Sequence, residues 1–204
     1  VSRDVNYARA CGSAANEACP TAQSSLTAWY GNDSSTAVDG NPTMEMGTGA
    51  CTNTMTGHTY SWWRVDMQKP MDVYGLTVTG RNDANKAAVT EGYSIYITND
   101  GSISGEQDLR TIFADHVCVK NMSRLPIDAP AVVNCTYPLT GRYVYFGTHI
   151  TGPLNLCKVE VWSGFCETAT STPAFDNDSG VVSTPTVIVH GFDVDEYVKD
   201  WPLE

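Results

Sequence analysis

The chain has 204 residues, a formal net charge of -11, 17% charged residues and 17 glycines. That length supports one substantial core, and 12 Lys and Arg against 23 Asp and Glu leave no basic cluster to neutralise nucleic-acid phosphate or hold an anionic membrane surface. No apolar run approaches the ~20 residues that a membrane-crossing helix requires, and few charges with plentiful Gly, Ser, Thr and Asn suit short strands joined by turns.

In chain order, the opening VSRDVN lacks the basic-then-apolar layout of a signal peptide, so a soluble, already processed chain is expected. Cys11 and Cys19 enclose a small polar segment and read as the ends of a stapled loop. From Trp29 to Cys51 the sequence is turn-rich. Tyr30-Gly31-Asn32-Asp33 and Asp39-Gly40-Asn41-Pro42 offer side chains that cap their own backbone, and such loops also suit cations. Strand patterns follow over Tyr60 to Met67, Val73 to Thr79, Tyr93 to Thr98, Tyr143 to Thr148 and Leu154 to Trp162. Val73, Leu76 and Val78, then Tyr93, Ile95 and Ile97, alternate as in a sheet with one buried face. An all-β sandwich or barrel is expected over residues 1–165. Residues 166–204 begin with a linker-like stretch from Glu167 to Gly180 and end in a segment carrying Val187 to Val189, Phe192, Tyr197 and Trp201. That segment reads either as a disordered tail or as one that folds onto a partner or a second copy.

Seven cysteines show no Cys-x-x-Cys and no metal-finger rhythm, so disulfides are expected. Four Asn-x-Ser/Thr sequons, at Asn32, Asn121, Asn134 and Asn177, agree with a secretory route. The histidines His58, His116, His149 and His190 are scattered, with no carboxylate pair, nucleophile triad or metal triad around them, and an enzyme is not expected.

Three blocks in order, Thr21-Ala22-Gln23-Ser24-Ser25, Ala37-Val38-Asp39-Gly40-Asn41 and Trp62-Trp63-Arg64-Val65-Asp66-Met67, resemble the F-type lectins, the fucolectin family. Arg81-Asn82-Asp83 and Leu156-Cys157-Lys158-Val159-Glu160-Val161 extend the likeness over roughly residues 4–162. The resemblance implies a discoidin-like jelly roll, with Trp62 and Trp63 as core residues. It also implies pairing of Cys51 with Cys157 and of Cys118 with Cys135, which leaves Cys166 as a free thiol or an interchain bond.

For the sugar site, the resemblance implies a His and two basic residues donating to fucose, with an Asp orienting the first Arg. Arg81 and Asp83 match that Arg and Asp. Asn53 stands at the His position, with His58 five residues further along the loop. Ala88 stands at the second basic position, with Lys86 near it. For a calcium ion, Thr36, Asp39, Asn41, Ala50 and Cys157 match the ligand-bearing positions, but Ala50 replaces a Ser and Lys158 a Glu. The Lys158 ammonium is therefore expected to occupy the metal position, held by Asp39 and loop carbonyls. Two functions follow as expectations. One is an extracellular carbohydrate-binding module with altered fucose and calcium sites, taking glycans as partners. The other is an assembly module joined to other chains through Cys166 or the tail.

Overall fold

The computed structural model describes residues 5–12, 16–27, 33–41, 43–44, 49–82, 91–127 and 129–163, all within the compact unit Val1–Phe165. Six strands run in antiparallel pairs among these residues: β1 (Thr21–Gln23), β2 (Trp62–Thr79), β3 (Tyr93–Thr98), β4 (Val117–Val119), β5 (Ala131–Thr148) and β6 (Lys158–Ser163). The order is β1-β2-β5-β3-β4, with β6 on β2. Two 3₁₀ turns, η1 (Tyr7–Arg9) and η2 (Ser34–Val38), and one short helix, α1 (Leu109–Ile112), complete the elements. The boundary at 165/166, Cys166 and the tail lie at or beyond the edge of the described residues.

β2 and β5 are long because each serves two layers. The first part of β2, Trp62 to Asp66, lies between β1 and Gly147 to Tyr143 of β5, which in turn pairs with β3, followed by β4. Beyond a register break between Asp66 and Met71, the rest of β2 pairs with the first part of β5 and with β6. The inner faces of both parts then share one core, in which Trp63, Val65, Leu76, Val78, Ile95, Phe146, Val159 and Val161 are all buried. Trp63 meets Phe146 edge-on at 5.6 Å, and its indole N–H donates to the Ser34 carbonyl at 2.8 Å, tying η2 to the core.

The two strands expected over Tyr60 to Met67 and Val73 to Thr79 are thus one strand, and β5 starts well before the expected Tyr143. The fold-over is local chemistry. Gln68 sits at φ 62° with its N–H donating to Asp66 Oδ1 at 2.8 Å, and opposite it Gly141 comes so near β3 that a Cβ would lie 2.7 Å from the Thr98 nitrogen. The Asp66 carboxylate accepts from Nε and Nη2 of Arg142 at 2.6 and 2.8 Å, clamping β2 to β5 at this bend.

Among the described residues, disulfides link Cys11 to Cys19, Cys51 to Cys157 and Cys118 to Cys135. Outside the main core, Trp62, Tyr96 and Tyr145 face Ile103, Leu109 and Phe113, so the segment carrying α1 covers the outer face of the first layer. The Leu154–Cys157 stretch, expected as strand, instead crosses Thr52 and Thr54. Thr52 N donates to the Leu156 carbonyl at 2.7 Å, and the Thr54 hydroxyl accepts from Leu154 N at 2.7 Å.

Candidate functional site

Arg81 lies two residues past the end of β2, where Cys157 N donates to the Thr79 carbonyl at 2.9 Å and fixes the exit of the strand. Arg81 is 8% exposed, and its Nη1 donates to Asn155 Oδ1 at 3.0 Å. Asn155 is fully buried. Its Nδ2 donates to Asn53 Oδ1 at 2.8 Å, and Asn53 Nδ2 donates in turn to the Thr27 hydroxyl at 3.3 Å. Gln23 Nε2 donates to the Asn53 carbonyl at 3.2 Å. The geometry comes from the cystine: Cys51-Thr52-Asn53 and Asn155-Leu156-Cys157 run antiparallel away from the Cys51–Cys157 bond, so the two amides meet two residues from either sulfur.

Arg81 and Asn53 are therefore brought together, through Asn155. The Asn53 oxygen accepts from Asn155 and one Nδ2 N–H donates to Thr27, so Asn53 braces this chain of hydrogen bonds. His58 is placed elsewhere: its Nδ1 lies 2.5 Å from Glu106 Oε1, and its carbonyl accepts from Gly152 N at 2.9 Å. Asp83, Lys86 and Ala88 lie outside the described residues. Sequence reasoning missed Asn155. Its signal was the Asn two residues before Cys157, mirroring the Asn two residues after Cys51.

At the loop where the family resemblance implies calcium, the polar side chains are already engaged. Asp39 Oδ1 accepts from Asn41 N at 2.7 Å, Asn41 Oδ1 from Thr43 N at 3.0 Å, and the Thr36 hydroxyl donates to the Asp33 carbonyl at 2.8 Å. Ala50 and Cys157, both buried, bring no side-chain oxygen. The Arg9 guanidinium rests against Gly40 so closely that a Cβ there would fall 1.5 Å from Nη1. The ammonium of Lys158 does not go to Asp39 as expected. It pairs with Glu160 Oε1 at 2.7 Å, because residues two apart on β6 share one face of the strand. A guanidinium on the loop, an ammonium at the position of a carboxylate and a single Asp do not fit a divalent ion that takes ~6–8 oxygen ligands.

Of the sequons, Asn121 and Asn134 are exposed, whereas Asn32 and Asn177 lie outside the described residues. Among the described residues there is no helix long and apolar enough to cross a membrane.

Residues 20–152 match the family model described as the F5/8 type C domain. Fucolectin-6 of Anguilla japonica is 29% identical over 127 residues, covering 62% of this chain and 61% of the relative, so the chain spans about three fifths of the length of that curated relative. The f-lectin (fucolectin) from Morone saxatilis (striped bass) serum superposes with a TM-score of 0.60 at 28% identity, over 71% of this chain and 46% of that one. The lectin domain of Lectinolysin, in a complex with Lewis B antigen, superposes with a TM-score of 0.62 at 25% identity, over 80% of this chain and 100% of that domain. The Trp62-Trp63 core strand, the discoidin-like sandwich and a family match over well over half the sequence converge: the chain belongs to the F5/8 type C domain family and, within it, is similar to the F-type lectins.

Proposed function

We propose that residues 1–165 form an extracellular, non-enzymatic carbohydrate-binding module that keeps the arginine half of a fucose site and has rebuilt the histidine half as an internal brace. The observation that carries this reading is the line Arg81–Asn155–Asn53, which ties the nearly buried Arg81 to a chain of neutral amides. A planar cation fixed in this way gives a sugar hydroxyl or ring oxygen both charge and direction. Lewis B antigen in the Lectinolysin complex makes fucosylated glycans the first candidates. Asp83 as the carboxylate orienting Arg81, and Lys86 as a second cation, belong to the same proposal. Three cystines favour an oxidising, secretory setting. Residues 166–204, with Cys166, would serve as linker and interaction segment.

The test is a glycan array probed with the wild type and Arg81→Ala. Wild type is expected to bind a subset of glycans, and Arg81→Ala to weaken that binding about 10–100-fold, the range for losing a charge-assisted hydrogen bond. Arg81→Lys, with an unchanged unfolding temperature, separates a lost ligand contact from a lost fold. A wild type that binds no glycan would overturn this reading in favour of the assembly module.

A further inference from the structure

On the outer face of the first layer, away from the Arg81 cluster and sharing no residue with it, lies a concavity of about 200 Å³. Its floor is β3, where Ser94 and Tyr96 are 2% and 1% exposed. Ala114 and Val117 form an apolar wall. Three basic side chains reach it from three separate segments: Arg110 from α1, Lys120 from just past β4, and His149 from just past β5. Among the described residues no carboxylate lines it, although acidic residues outnumber Lys and Arg 23 to 12 in the chain.

These basic groups are not paired with one another, and only Arg110 is held by a carboxylate among the described residues. Asp108 takes Nε and Nη2 of Arg110 at 2.9 and 2.7 Å, leaving Nη1 without a hydrogen bond among the described residues. Lys120 forms no ion pair among the described residues. Nδ1 of His149 is buried and has no hydrogen-bond partner among the described residues, a state that native structures rarely leave unanswered. A lone exposed lysine is ordinarily just solvated. Three such groups converging on a concave floor, one with an orphaned buried nitrogen, describe a receptor for an oxyanion.

We propose that this concavity is a second carbohydrate subsite, for a pyranose bearing a sulfate ester or a carboxylate. The volume is below the ~300–1,000 Å³ of drug-sized pockets and limits the occupant to about one ring or a terminal substituent. The net charge of -11 disfavours a polyanion such as nucleic acid, so the fitting ligand is a single charge on an otherwise neutral sugar. Ala114 and Val117 would take the C–H face of the ring while Arg110, Lys120 and His149 take the oxyanion.

This inference rests on the carbohydrate-binding reading but not on Arg81. Asn121 also lines the concavity and heads a sequon, so the test uses the full chain carrying Ser123→Ala, which removes the sequon and leaves the lining intact. Titration calorimetry with galactose 6-sulfate, N-acetylneuraminic acid and galactose is expected to show one or both anionic sugars binding at least about tenfold more tightly than galactose. The better of the two identifies the anion. Lys120→Ala and Arg110→Ala should each weaken that binding about 5–10-fold, and Lys120→Glu, at an exposed position where folding is not at risk, should abolish it. Arg81→Ala should leave it unchanged. Equal binding of all three sugars, or loss of anionic binding only in Arg81→Ala, overturns the proposal. The Arg81 reading, scored on neutral glycans, would stand or fall separately.

Discussion

Asp66 joins the two halves of the sandwich at a single carboxylate. Partial burial pushes its carboxyl up, but the paired hydrogen bonds from Arg142, the Gln68 N–H and the nearby Arg64 charge outweigh this and hold it below the usual carboxylate value. A depressed folded-state value means that its contribution to stability is present above the unfolded value near about 4 and is lost as pH falls through the folded one. Asp66→Asn is therefore expected to lower the unfolding temperature at neutral pH and to flatten its decline below about pH 4; parallel curves for variant and wild type in acid would contradict this. Arg81 was singled out through the family resemblance, which matched it and Asp83 to the sugar-site Arg and Asp. Asn155 was not, because its partners Arg81 and Asn53 are 74 and 102 residues away in sequence, and nothing in an ordinary Asn signals that distance. Lys158 was misassigned for a related reason. Family position suggested Asp39, whereas strand geometry supplied Glu160 two residues along.

Among the elements, those with clean alternation could be read directly: β3 coincides with the expected Tyr93 to Thr98, and both halves of β2 were visible as strand. What stayed hidden was continuity. Gln68, Lys69 and Pro70 are exposed and polar or cyclic, the composition of a turn, yet they lie within β2 because the strand bends there between layers. The first half of β5 was obscured in the same way, since Asn134, Thr136, Tyr137 and Pro138 face outward and break the apolar rhythm. The bend carries a conformational cost that substitution can expose. Gln68 adopts φ 62°, a region in which a side chain costs roughly 1–2 kcal/mol. Gln68→Gly, which keeps the backbone N–H bond to Asp66, is expected to stabilise the protein by up to about 1 kcal/mol in urea unfolding. A loss of similar size would mean that the side chain itself holds the bend.

For the molecule as a whole, the Cys51–Cys157 bond is the largest covalent constraint, with a sequence separation of 106. The chain-entropy model assigns such a closure about 4–5 kcal/mol. The double variant Cys51→Ala, Cys157→Ala is expected to lose about that much in urea unfolding, and to lose glycan affinity as well, because Asn53 and Asn155 are placed by this bond. Retained stability would show that the unfolded chain is restrained elsewhere. The same bond has a mechanical consequence. Cys51 lies ahead of β2 and Cys157 immediately ahead of β6, so a load applied between residue 1 and residue 204 passes from sulfur to sulfur and leaves β2 to β5 out of the line of force. Roughly 350–380 Å of extensible chain is thereby withheld. An adhesive contact made through Arg81 would be shielded from tension that peels away the segments on either side.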